Sequence, residues 1–244
     1  MFGTHFPADS LRALIHELRT PLNAIIGFSE MIEGQYMGPA AEGYRDRAAA
    51  IRDQGRQLLS AVDDLDTAAR IGSRRLGLDP GAVDAGALLA RLHESYERIA
   101  AQRGARLTLD VASDLPLARI EAAAAERMFG RLLAATIGLA GEGETLAATL
   151  GVDGPSERAP LRLSLDRPGA VEGLDESDLL DPGYSPDGDW PAAPALGLGF
   201  ALRLVRNLAE AAGGALLIGE TQVLLWLPAA AEAAPAAGQG GESA

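Results

Sequence analysis

Two runs of apolar residues with a seven-residue beat constrain this chain most. Leu11, Leu18, Ile25 and Ile32 recur every seven positions, and Ile15 and Leu22 stand four residues after the first two. A second run, Tyr44, Ala48, Ile51, Gly55, Leu58, Val62 and Leu65, steps alternately by four and three. These registers predict two long helices. The first starts at an N-cap on Ser10 and stops near Gly34, and a loop through Gly38 and Pro39 leads to the second. So short a link makes an antiparallel hairpin. One hairpin cannot cover both apolar seams, so a homodimeric four-helix bundle is expected.

After Gly72 the pattern changes. Residues 84–103, 119–140 and 199–212 read as helices, and 105–111, 145–152, 160–166, 215–219 and 221–227 as strands. An acidic, Pro- and Gly-rich loop spans 167–196. Strands and helices in this order predict an α+β sandwich, a mixed sheet with helices on one face. The expected domains are a flexible N-terminus at 1–9, the hairpin at 10–74, the sandwich at 75–228 and a disordered tail at 229–244.

The net charge of −13 argues against nucleic acid or an anionic membrane as partner. There is no cysteine, and neither His5 nor His93 has a second ligand at metal spacing, so no metal site is expected from cysteine or histidine. No apolar run approaches a membrane span, and the N-terminus lacks the pattern of a signal peptide, so a cytoplasmic location is expected.

Residues 16–22 read His-Glu-Leu-Arg-Thr-Pro-Leu. His16 falls one step off the first seam, with Thr20 and Asn23 on the same exposed face. An exposed neutral imidazole is a nucleophile that an in-line phosphoryl donor can reach. Glu17 stands beside it as a candidate general base. Pro21 lacks an N–H and crowds the carbonyl of Glu17, which predicts a loosened or bent helix one turn past the histidine. A lone histidine on a helix would be an ordinary surface residue; the unbroken string sets this one apart.

The run resembles the H-box of the two-component sensor histidine kinases, whose histidine carries a phosphoryl group. Asn23 to Ile32, Gly38-Pro39, Tyr44, Leu58 to Leu65 and Ile71 extend the likeness. It implies phosphotransfer at His16 with an aspartate of a response-regulator receiver domain, with Glu17 as base. In the family the residue four after the histidine helps position water for dephosphorylating the regulator; that residue here is Thr20.

Residues 75–228 resemble, by position, the family's ATP-binding domain. Gly197 and Gly199, with the helix after them, look like the second glycine box that receives phosphates. Asp166-Arg-Pro-Gly169 keeps an Asp that could accept the adenine amine, without the family's glycine spacing. Aligning Glu142-Gly143 with the family's Glu-Gly puts Ala135 at the Mg²⁺-binding Asn, Arg131 at the first Asn of that box and Gly138 at a common Lys. Alanine offers a hard cation no oxygen, and the acidic run from Glu172 to Asp181 would repel a triphosphate. The expectation is a phosphotransfer protein that needs no cofactor for transfer and binds ATP and Mg²⁺ weakly or not at all. The alternatives are a divergent kinase that autophosphorylates His16 from ATP, and a non-catalytic scaffold that only binds receiver domains.

Overall fold

The structure, a computed structural model, describes residues 8–72, 81–156, 159–181, 184 and 196–230. His5 lies outside them. Helix α1 (Ala8–Glu33) and helix α2 (Glu42–Gly72) form the hairpin. Helix α1 begins at Ala8, so Ser10 lies inside it rather than at its N-cap, and residues 8–9 belong to the helix rather than to a flexible terminus. The helix runs unbroken through Pro21. Gly38, at a φ of +124°, helps the loop reverse in a conformation that side-chain-bearing residues rarely adopt.

The seam of α1 divides into two rows. Ile15, Leu22, Ile26 and Ser29 are buried toward α2, whereas Leu14, Leu18, Ile25, Phe28 and Ile32 form an exposed stripe on the adjacent side. On α2, Ala48, Gly55 and Val62 are covered, while Tyr44, Ile51 and Leu58 are open. At the covered seam a Cβ on Gly55 would stand 2.9 Å from Ile26 Cγ1, so glycine there permits the close approach. Three arginine–carboxylate groups fix the antiparallel register: Arg19 to Asp63 (2.9 Å) and Asp66 (3.3 Å), Arg56 to Glu30 (2.6 Å), and Arg52 to Glu33. Partly exposed pairs of this kind add little energy each; here they select one alignment.

The second domain has a five-stranded sheet, β2 (Arg106–Val111), β4 (Thr145–Val152), β5 (Leu161–Asp166), β7 (Gln222–Leu227) and β6 (Ala215–Ile218), in that spatial order. Strands β2 and β4 are parallel and the other neighbours antiparallel. Helices α3 (Ala85–Gln102), α4 (Ala122–Leu139) and α6 (Leu198–Ala211) pack on one face. Asp84 caps α3 by accepting from the Ala87 amide at 2.8 Å. His93 meets the Leu107 carbonyl at 2.9 Å, a structural contact. Residues 132–140 of α4 and the segment after it are all buried, which makes α4 the centre of the core.

Four short features escape the alternation pattern. Strands β1 (Ala82–Val83) and β3 (Ala118–Arg119) pair as a small second sheet. The acidic loop holds a single 3₁₀ turn at Gly169–Val171 and a one-turn helix α5 (Glu176–Leu179). The expected tail boundary at 229 also moves. Ala229 bridges to Ala118, and the Ala230 amide donates to the Leu117 carbonyl at 2.7 Å, because these residues continue β7 past the small sheet. Residues 231–244 lie outside the described residues.

Phe129 on α4 is fully buried in this core. Phe129→Ala should lower the unfolding free energy by about 3–5 kcal/mol, measured by urea denaturation followed by circular dichroism.

Candidate functional site

His16, Glu17 and Thr20 lie on α1 and are all exposed. At about 100° per residue, the covered row and the open apolar stripe occupy two adjacent sides of α1. His16, Thr20, Asn23 and Gly27 fall on the side facing away from both. His16 is therefore open to a macromolecular donor with the second domain in place. Thr20 follows it one turn later with its hydroxyl on the same strip. Both side chains are thus open to solvent on one face of the helix.

The residues expected to hold a nucleotide lie elsewhere, in the sandwich domain. Gly197 precedes α6 at a φ of +84°, a conformation that calls for glycine, and Gly199 is buried in its first turn. The chain after α5 is folded down on this helix end. A Cβ on Gly199 would collide with the Asp181 carbonyl oxygen, and the Gly199 amide already donates to the Tyr184 carbonyl at 3.2 Å. Arg203 Nε donates to the Leu180 carbonyl at 2.6 Å, and Leu179 and Leu180 are buried. Glu176 accepts from Arg206 and from the Ile218 amide. The acidic segment is thus packed onto α6 through its leucines and Glu176, with Glu172, Asp175, Asp178 and Asp181 outermost.

Asp166 ends β5. One carboxylate oxygen accepts from the Ala147 amide at 2.8 Å and the other from Gln222 Nε2 at 3.1 Å, so both oxygens are used within the sheet. Glu144 bridges two loops by accepting from the Gly141 amide at 2.7 Å and the Gly169 amide at 2.8 Å. Arg167 donates to the carbonyls of Gly219, Val171 and Leu174 and so pins the start of the acidic loop. Ala135 and Gly138, at the expected metal and lysine positions, are buried and bring no side-chain oxygen or charge. Among the described residues no group of His, Cys, Asp and Glu has the arrangement of a metal site.

Residues 8–74 match the model of the His Kinase A (phospho-acceptor) domain. Residues 8–74 are thus a phospho-acceptor hairpin of the kind found in two-component histidine kinases. It is 38% identical over 78 residues to histidine protein kinase DivJ of Caulobacter vibrioides, covering 32% of this chain and 13% of that protein. It is 40% identical over 81 residues to the cell-division control histidine kinase PdhS of Brucella abortus, covering 33% of this chain and 7% of the relative. A longer match, 35% over 133 residues, is to a sensor-like histidine kinase of Rhizobium meliloti and covers 53% of this chain and 24% of the other. The chain therefore spans less than a quarter of the length of each of these relatives. In fold it is similar to full-length ShkA, solved with AMPPNP, at a TM-score of 0.67 and 23% identity over 91% of this chain and 45% of that one. It is also similar to AdeS of Acinetobacter baumannii, at a TM-score of 0.57 and 20% identity over 88% of this chain and 98% of the other.

Against this histidine kinase frame, sequence reasoning missed the contacts that tie the two domains together. Asp64 on α2 is buried and bonded to Arg127 and Arg131 of α4, and Arg131 also reaches Ser60. Two arginines four residues apart in an otherwise alanine-rich helix were the available signal. Tyr96 of α3 belongs to the same neighbourhood. Burial raises its phenol above the ordinary value of 10.0, and the charge of Arg131 works against that rise. The folded state thus favours the neutral phenol. Its contribution to stability is whole below about pH 10 and is lost as pH rises through the folded value. In an absorbance titration the signal missing from Tyr96→Phe should appear above the ordinary phenol value of 10.0, and Arg131→Gln should push it later still. A Tyr96 signal at or below that value would contradict this environment.

Proposed function

We propose that the chain is a phosphotransfer protein of two-component signalling. His16 exchanges a phosphoryl group with the aspartate of a receiver domain, and the sandwich domain binds no ATP. The observation that carries this reading is His16 itself, exposed on the strip of α1 that faces away from both apolar rows. In the transfer step a lone pair on an imidazole nitrogen attacks the aspartyl phosphate. The P–N bond forms as the P–O bond to the carboxylate breaks, and the ring proton passes to Glu17. Thr20 acts on the reverse problem, holding a water against the phosphorylated receiver.

The absence of nucleotide is supported by three features. Both oxygens of Asp166 already accept hydrogen bonds. The Gly199 amide is taken by the Tyr184 carbonyl. Ala135 gives Mg²⁺ no ligand. The second reading, an autophosphorylating kinase, draws on the ATPase-like fold and on its likeness to ShkA, solved with AMPPNP, which shows the fold alone.

The bundle is a homodimer in this reading. Leu14, Leu18, Ile25, Phe28 and Ile32 on α1 and Ile51 and Leu58 on α2 are the side chains that a second copy covers, each worth roughly 1.5–3 kcal/mol when fully buried. Phe28 is 65% exposed within one copy, so Phe28→Glu should leave the hairpin folded and produce a monomer by light scattering. A variant that stays dimeric would place the interface elsewhere.

Labelling decides between the readings. Incubation with a phosphorylated receiver domain should label His16, and incubation with labelled ATP and Mg²⁺ should not. His16→Ala should abolish labelling. Glu17→Gln should slow it by up to about 10²–10⁴-fold. Thr20→Ala should spare transfer and reduce dephosphorylation of the receiver. Labelling from ATP alone would establish the kinase. Loss of all labelling with receiver binding intact would establish a scaffold.

A further inference from the structure

Positions 127, 131 and 135 lie four apart and share one face of α4. Two of them, Arg131 and Ala135, stand where the resemblance, spaced from Glu142-Gly143, puts the two asparagines of the Mg²⁺-binding box. Positions 60, 64 and 68 likewise share one face of α2, turned away from α1. The two faces meet through Arg127 and Arg131, while Ala135 lies within the sandwich core. Arg127 Nη1 lies 3.0 Å from Asp64 Oδ1, and Arg131 Nη2 lies 2.8 Å from Asp64 Oδ2. Arg131 also donates to the Ser60 hydroxyl, and Ala68 packs against the sandwich core. Asp64 is 5% exposed, and the arginines are 29% and 20% exposed.

We infer that the Arg127–Arg131 face of α4 is a docking surface for the chain's own α2, with the Asp64 carboxylate as the anion that the two arginines receive. The occupant is named by charge complementarity and by seating: one buried carboxylate held by two arginines, with a hydroxyl completing the second. A carboxylate so deeply buried is strongly favoured in this paired arrangement over a separated one. The dock holds the sandwich domain on the side of α2 away from α1 and leaves His16 open. A mobile ATP domain has to travel to its histidine; this one is parked. The dock does not depend on the phosphotransfer reading, since the contacts involve neither His16 nor a phosphate.

The chain has no cysteine, so Gln54→Cys on α2 and Glu97→Cys on α3, both exposed, give two clean spin-label sites in the full chain. Diluting the labelled chain with excess unlabelled chain restricts the measured distances to one molecule. Double electron–electron resonance should give one narrow distance distribution, and a broad one in this parent would overturn the dock at once. Arg127→Gln with Arg131→Gln should broaden and lengthen it while far-UV circular dichroism stays unchanged. Should that variant misfold, Ser60→Ala with Asp64→Asn removes the same contacts from the other side and should broaden the distribution in the same way. A folded variant of either kind with the parent's narrow distribution would show that the domains are held by something else. The transfer assay on His16 would stand or fall separately.

Discussion

Helix α2 puts Asp64 out of water on a face that points neither into the hairpin nor to solvent. A charge so placed is tolerated only when its oxygens are bonded, and losing one partner of such a pair typically costs 3–5 kcal/mol. Arg127 and Arg131 supply the bonds from another domain. The hairpin and the sandwich also meet where α2 lies against α6, so among the described residues the ion pair is one of two ties between them. The arginines come from α4, which is also the centre of the sandwich core, so this tie reaches the most buried helix of the second domain.

In the proposed reading the same helix keeps its fold without the ligands of a nucleotide site. Burial of residues 132–140 needs small and apolar side chains, and Ala135 and Gly138 meet that need as well as polar residues with a ligand would. Around it, hydrogen-bonding capacity that could serve a nucleotide is spent internally. Asp166 closes the sheet, Glu144 staples two loops, Arg167 pins the acidic segment, and the start of α6 is capped by the chain itself. Together these contacts join β5, the acidic segment and the start of α6 into one bonded region.

The hairpin was legible in the sequence because a seven-residue period survives any tertiary context, and the strands because their alternation matches a sheet with one buried face. The division of that period into two rows was not, since Ile15 and Leu18 are equally apolar and only packing separates them. The one-turn α5 and the paired β1 and β3 are too short to carry a period. At the site, His16 stood out through its neighbours in sequence. The partners of Asp64 did not, since residues 64, 127 and 131 meet only after both domains have folded. Ser10 reads as a cap from its type, yet the helix begins two residues earlier.

The two apolar rows on α1 leave angular room for only one polar strip, and His16 stands in it. Each residue turns a helix by about 100°. A twist of α1 of that order would swing the imidazole toward the side now packed on α2, and the opposite twist would carry it toward the open stripe. Access to His16 is therefore coupled to the rotational phase of a single helix. A torque applied at one end of α1 would reach His16 only by breaking the Arg19, Arg52 and Arg56 pairs along the hairpin, so the contacts that align the two helices also keep the imidazole in the open.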